Sequence, residues 1–404
     1  MVRLELTIEV EEPLILANKH AAGNIVHTLD YISGTALRGA FAARYLSLKG
    51  LSQKDEFTQF FCSNEVRFGN LYPESESEGD FVFPLPISAK TCKGYKGFKK
   101  DDPSKEIHGV SDYLLQEIPE SCAAKSDLLG GRIVFCKAPL ETYPCFYEFR
   151  PGNYRDCKKV EVGKRFSVHS EIDDKYKRSK EGILYTLEHI NEEEKFVGNI
   201  FFSQESLYES FDKLFFSSRT PISFIKIGQA RSRGMGKVIV TNSTRGDSPF
   251  FAMSKGTVEE RIKAFNDGKL DTNEIQFSLT LFSDAIICDK FLRYLTTIPE
   301  WLVEEELNIS SSKIEKIKAF TAYRMLSGWN AALGLPKENE IVINKGSSFL
   351  YTFKGSGEEE NRNLIRALEE LENRGIGFRR NEGFGEIIVC DPVHLYLREL
   401  EETR

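Results

Sequence analysis

The chain has 404 residues, 41% of them hydrophobic, and a formal net charge of −7. Such a length suits two domains better than one, and the apolar fraction excludes a disordered polymer. The acidic balance excludes a uniformly basic nucleic-acid coat, although basic residues are segregated: six and no acid from Arg219 to Arg245, five lysines and no acid from Leu85 to Lys100. Segregated charge of this kind focuses a local positive field.

In chain order, Val2, Leu4, Leu6, Ile8 and Val10 alternate with polar residues, the period of a half-buried strand. This charged start does not resemble a signal peptide, and no apolar run reaches the ~20 residues a membrane helix needs. A cytoplasmic setting without membrane contact is therefore expected. "SGTALRGAFAARYLSL" predicts a helix with Leu37, Phe41 and Tyr45 on one face and Ser33 or Thr35 as its cap. "IVFCKAPLE", "TYPCFYEF", "GNIFFS" and "KVIVTN" predict short strands, separated by polar inserts at "ESESEG", at 90–105 and at 150–182.

A second unit is expected from residue 249. Thr257 with Glu260, and Ser312 with Glu315, have capping-box spacing, predicting helices over "RIKAF" and "KIKAFTAYRML". "EIQFSLTLFSDAIIC" predicts a strand. "NLIRALEELENRG" predicts a helix with Leu364, Leu368 and Leu371 as its apolar stripe and Gly375 as its C-cap. The expected class is α+β, with domains at 1–248 and 249–404. Strands and helices do not alternate as a parallel sheet requires, so each domain should be an antiparallel sheet backed by helices.

Two glycine-rich loops precede strands: "IGQARSRGMGK" at 227–237 and "GIGFRRNEGFGEIIV" at 375–389. Neither is a dinucleotide fingerprint or a P-loop. Glycines let backbone amides approach phosphate oxygens, and arginines add planar donors. The first loop offers Arg231, Ser232, Arg233, Gly234 and Gly236; the second offers Arg379, Arg380, Gly383 and Gly385. A tight β-turn would explain one such loop. Two of them, beside further basic segments, point to a phosphate backbone. Tyr95 and Phe98 sit among Lys90, Lys93, Lys96, Lys99 and Lys100, an interleaving suited to stacked bases of single-stranded nucleic acid. Tyr143, Phe146, Tyr147 and Phe149 read instead as sheet packing.

Candidates for catalysis are few. His27, Asp30 and His169 are the residues a ribonuclease could use, since histidine's ordinary pKa of ~6.5 suits a general base. No HExxH, GxSxG or paired-carboxylate pattern surrounds them, and no catalytic residue is assigned. The eight cysteines include no CxxC pair and are expected mostly free in a reducing compartment. Irregular spacing argues against a zinc site drawn from Cys92, Cys122, Cys136, Cys145 and Cys157, so neither metal nor cofactor is expected.

"DYISGTALRGAFAARY" (30–45), "IKIGQARSRGMGKVIV" and "RRNEGFGEIIV" together resemble the signature helix and glycine-rich loops of the repeat-associated mysterious protein (RAMP) superfamily of CRISPR subunits. "RFSVHSEIDDKYKRSKEGILYTLEHI" (165–190), "MLSGWNAALGLPK" (325–337) and "INKGSSFLYTF" (343–353) resemble more narrowly the type III-D subunit at the crRNA 5′-handle end. The resemblance implies two ferredoxin-like (RRM-related) domains with inserted loops. It implies a non-catalytic subunit that binds the crRNA 5′ handle, meets target RNA only indirectly, and anchors backbone RAMP subunits and a polymerase-like large subunit. Ser33, Gly34, Thr35, Leu37, Arg38 and Gly39 would then face RNA, with both glycine loops. His169, Asp173 and Tyr185 would lie near RNA, and Trp329 and Asn330 would serve the second core or a handle contact. The alternative is a RAMP-family endoribonuclease that processes guide RNA or cleaves target RNA. Asp30 sits near the place where cleaving relatives carry an aspartate, but "HTLDYISG" does not complete their pattern.

Overall fold

The computed structural model describes residues 2–16, 25–50, 54–128, 132–172, 179–217, 224–246, 250–270, 273–310, 312–330 and 334–402. The alternating start forms β1 (Val2–Val10), whose Leu4, Leu6, Ile8 and Val10 are buried. Helix α1 (Gly34–Lys49) follows. Ser33 caps it by accepting the Ala36 amide, and Leu37, Phe41 and Tyr45 are buried on one face as expected. β2 (Val66–Pro73), β3 (Lys195–Phe202), α2 (Glu205–Phe215) and β4 (Lys237–Gly246) complete the unit. Its antiparallel strands lie in the order β4-β1-β3-β2, with the short strand Phe224–Lys226 added outside β4 as a fifth.

The same path is drawn again by β5 (Glu274–Leu281), α3 (Glu300–Leu307), β6 (Ile314–Phe320), β7 (Ser348–Lys354), α4 (Glu358–Arg374) and β8 (Ile387–Val389). Their order is β8-β5-β7-β6. Both units are therefore βαββαβ, with the fourth strand beside the first and the third between first and second. Registers correspond too, since Val10 pairs with Val238 as Leu281 pairs with Ile387. The chain is α+β, with two ferredoxin-like sheets.

One apolar core lies between each sheet and its helices, and a third joins the halves. In the third, Tyr72, Phe83, Phe146 and Phe149 pack with Phe251, Phe282, Ile388, Val393 and Leu397. Lys255 is buried there, 2.6 Å from Asp391, with its ammonium 4.5 Å and 4.4 Å from the Phe83 and Phe149 ring centroids. The paired carboxylate and the ring faces offset the desolvation of that ammonium.

Thr257 and Glu260 form a true capping box at the helix Val258–Phe265, and Leu364, Leu368 and Leu371 are buried in α4, which ends at Gly375. Two expectations fail. "KIKAFTAYRML" is not helical: it supplies β6 and the strand Tyr323–Leu326. Ser312 has φ 70, not the extended backbone an N-cap requires, so its spacing to Glu315 is fortuitous. β6 is a sheet edge, where charged residues discourage further strand addition. The polar insert at 150–182 likewise carries structure, in Asn153–Val160, Lys164–Ile172 and the start of Ser179–Ile190. These belong to a long elaboration between β2 and β3. Among the described residues, no helix is long and apolar enough to cross a membrane.

Candidate nucleic-acid interface

The glycine loops are one device built twice. In the first, the Ile227 amide donates to the Gly236 carbonyl (2.8 Å), Gly236 to Pro13 (2.9 Å) and Gln229 to Ile15 (3.0 Å). In the second, Ile376 donates to Gly385 (2.8 Å), Gly385 to Asp284 (2.8 Å) and Phe378 to Ile286 (2.9 Å). Each pivots on a left-handed non-glycine residue, Ala230 (φ 54) or Arg379 (φ 55), and enters a short 3-10 turn, Arg231–Arg233 or Arg380–Glu382. Each closes on a glycine that tolerates no Cβ. At Gly236 that atom would lie 2.1 Å from the Ile227 carbonyl oxygen, and at Gly385 1.8 Å from that of Ile376.

What covers the two loops differs. The second is docked onto the start of α1: a Cβ at Gly34 would lie 2.7 Å from the Glu382 carbonyl oxygen, and one at Gly383 2.7 Å from that of Phe68. Buried Glu382 accepts from Arg379 (2.6 Å), from Thr35 Oγ1 (3.0 Å) and from Lys337 (3.4 Å), and pairs with Arg38 (3.2 Å). Burial alone would raise its pKa; the hydrogen bond and charge of Arg379, with Arg38 and Lys337, overcome this and hold it at about 2. Arg379 also pairs with Glu340, and Arg380 donates to the Gly375 carbonyl (3.4 Å). Thus Thr35, Arg38 and Arg379 meet on Glu382 and Gly34 meets Gly383, whereas Ser33 caps its own helix and Arg380 turns back to Gly375; the second loop's Arg379 is neutralised within the chain. Glu386, next along, is pushed up to about 7 by burial against the opposing pull of Arg67.

The first loop keeps its outer surface open. Arg231, Ser232, Arg233 and Gly234 are exposed, and nothing approaches within 4 Å of where a Gly234 Cβ would stand. Among the described residues neither Arg231 nor Arg233 is paired with a carboxylate. Arg233 donates to the Tyr185 hydroxyl (3.1 Å), and the Tyr185 ring stacks on His169, centroids 5.4 Å apart at 18°. Tyr185 and His169 are directly opposed on antiparallel strands, so they share a face. Asp173 lies outside the described residues, as does Arg219. In the repeat, Arg233 occupies the position of Glu382.

The catalytic candidates stand apart in their contacts. His27 Nδ1 is 3.3 Å from Glu188, and the ring meets Phe166 edge-on. The His169 Nε2 is 2.9 Å from Ser167 Oγ. Asp30 is ion-paired with Lys164 and lines an open cleft of about 960 Å³ between the halves, along with Lys90, Lys159, Arg324 and Lys345.

The lysine-rich segment corrects the sequence reading in part. Phe98 is buried against Tyr143 and Tyr147, so its ring packs the core and stacks no base; Tyr95 is 39% exposed. Lys96 pairs with Glu141 and Lys100 with Asp156, acids brought from elsewhere in the chain, while Lys93 is exposed. Tyr147 and Phe149 are fully buried, as expected for sheet packing. Trp329 is 54% exposed, which removes it from the second core; the side chain of Asn330 lies outside the described residues. The irregularly spaced cysteines do converge: Cys92, Cys122 and Cys136 meet His108, a residue the sequence reading missed, whereas Cys145 and Cys157 lie elsewhere. No short-spaced pair announces this cluster.

Among solved structures, the chain is similar to a subunit of the type III-B Cmr-β complex bound to cognate target RNA, at 14% identity over 86% of each chain and a TM-score of 0.41. It is also similar to a Cas6 product complex, at 8% identity over 96% of this chain and 100% of the other, with a TM-score of 0.37. No curated protein sequence matches it. The profile of the RAMP superfamily matches residues 7–239, from β1 through the first glycine loop to β4 and more than half of the sequence. The chain belongs to the RAMP superfamily.

Proposed function

We propose that the protein is a non-catalytic RNA-binding subunit of a type III CRISPR effector, of the III-D kind, that grips the 5′ handle of the guide RNA. The observation that carries this is the inequality of the repeated loops. The second loop presents Glu382, and what lies on it is a helix start with Arg38, Arg379 and Lys337 around the carboxylate. The first presents Arg233 at the same position, with Arg231 beside it and its surface open. A rigid turn that receives cations when it carries a carboxylate should receive an anion when it carries guanidinium groups. A phosphate backbone supplies that anion, and the Tyr185–His169 stack beside Arg233 supplies a platform for an unstacked base.

In this reading the division lies at 1–248 and 249–404, and the second loop is the joint between the units. Neighbouring backbone subunits and a polymerase-like large subunit are the protein partners. In this reading cleavage plays no part, because each catalytic candidate is engaged by a neighbour within the chain. Glu188 holds His27, Ser167 holds His169, and Lys164 holds Asp30.

The test compares labelled guide RNA carrying an intact 5′ handle with a handle-scrambled RNA, with and without divalent metal, for wild type and Arg231→Ala/Arg233→Ala. Handle-selective binding without cutting, weakened in the variant, is expected. RNA cutting abolished by His27→Ala, Asp30→Ala or His169→Ala would overturn the reading in favour of the ribonuclease. Equal binding by wild type and variant would remove the first loop from the site.

A further inference from the structure

We infer that Cys92, His108, Cys122 and Cys136 form a closed tetrahedral site for a zinc-class divalent ion, and that this ion pins the lysine-bearing loop 93–107. The four ligand atoms all lie within 4.8 Å of one another, with Cys92, His108 and Cys122 buried. Zinc–sulfur bonds of ~2.3 Å at tetrahedral angles place two thiolates about 3.8 Å apart, and a thiolate and an imidazole nitrogen slightly closer. The Cys92 and Cys136 sulfurs are 3.7 Å apart, and His108 Nδ1 is 3.3 Å from the Cys122 sulfur. A disulfide would bring two sulfurs to about 2.05 Å and leave the other two groups unexplained.

The surroundings fit a metal as well as the ligands do. His108 turns its other nitrogen, Nε2, to Glu106 at 3.3 Å, the carboxylate contact that fixes the tautomer of a metal-bound imidazole. Backbone pairing aims the ligands. Cys122 donates to Ala138 and Cys136 to Ala124, so these cysteines flank one hairpin, while Lys93 donates to Pro139 and holds Cys92 alongside. The apolar cluster here consists of Cys92, Cys122 and Ala124, with Cys136, Ala138 and Leu140 at its margin. So small a core is what a structural metal compensates in other compact modules. All four positions are protein ligands, which makes the site structural. On loading, each thiol gives its proton to solvent and the imidazole binds through Nδ1.

The consequence falls on the segment between the first two ligands. Cys92 and His108 close its ends, the His108 amide donates to the Tyr95 carbonyl (3.2 Å), and the Tyr95 ring stacks on the imidazole at 4.3 Å. The ion would thereby fix Tyr95, Lys93 and Lys96 in place.

The experiment measures metal in the full-length protein by mass spectrometry after purification without added metal, then exchanges it for Co(II). One zinc per chain and the intense d–d absorption of a tetrahedral Co(II) thiolate are expected. Cys136→Ser should lose the metal, His108→Cys should retain it, and Cys145→Ser, outside the cluster, should match wild type. Chelation should speed proteolysis within 93–107 at least tenfold. A folded wild-type protein without metal, whose cluster thiols alkylate equally with and without zinc, would overturn the inference. So would a Cys92–Cys136 disulfide. If Cys136→Ser fails to fold, the metal content and Co(II) spectrum of wild type decide alone.

Discussion

Replacing Glu382 with Gln probes the joint between the two sheets. The carboxylate is 8% exposed and gathers Arg379, Arg38, Lys337 and the Thr35 hydroxyl, while its own turn rests on the start of α1. A folded pKa of about 2, against an ordinary 4.5, corresponds to roughly 3 kcal/mol of preference for the ionised form in the folded state. Because the folded pKa is depressed, this stability is fully present above pH ~4.5 and is lost as pH falls towards about 2. Gln keeps the shape and leaves three cations facing a neutral amide, a buried pairing broken from one side. Urea unfolding of wild type and Glu382→Gln from pH 7 down to pH 2.5 should therefore show a gap of roughly 3 kcal/mol at neutrality that closes through the acid range. A gap that is absent at pH 7, or that stays constant down to pH 2.5, would refute the account of this joint.

Glu386 should behave in the opposite sense. Its pKa is raised to about 7, so the folded state loses stability as pH climbs from ~4.5 to about 7, and Glu386→Gln should stabilise at pH 8 while leaving pH 4 unchanged in the same urea titration. Gly385→Ala forces a Cβ to 1.8 Å from a carbonyl oxygen at φ 75 and should cost more than ~2 kcal/mol by thermal unfolding. Gly234→Ala meets no atom, and its left-handed backbone alone should cost about 1 kcal/mol. Tyr185→Ala should weaken guide-RNA binding by about 1–3 kcal/mol in fluorescence anisotropy, with Tyr185→Phe retaining the stacking share. An unchanged Kd for Tyr185→Ala would remove the His169–Tyr185 platform from the interface.

Much of the fold was legible because its determinants are local. Alternation in β1, the Leu37–Phe41–Tyr45 stripe, the Thr257 capping box and the Gly375 stop each arise from a few adjacent residues. The repeated loop was visible as a sequence pattern, and four of its backbone hydrogen bonds match residue for residue. Long-range pairing decided the rest. Nothing adjacent to Arg379 says that Glu340 neutralises it, nor that Glu141 and Asp156 reach Lys96 and Lys100. Capping-box spacing at Ser312 was overruled by the sheet, which took the following residues as an edge strand against β7. Phe98 looked like a stacking aromatic among lysines because alternation of charge and ring is shared by an RNA groove and by a core segment with a wet rim. The Cys92–His108–Cys122–Cys136 cluster had no short-range signature, since hairpin pairing rather than chain proximity brings its members together.

The most direct test of the central claim is the salt dependence of guide-RNA affinity for wild type and Arg231→Ala/Arg233→Ala. If both guanidinium groups neutralise phosphates of a single strand, the slope of log Kd against log salt should fall by about 1.4 in the double variant, at roughly 0.7 per contact. Weaker binding with parallel slopes would contradict it, because the first loop would then act on the protein's shape and not on the RNA backbone.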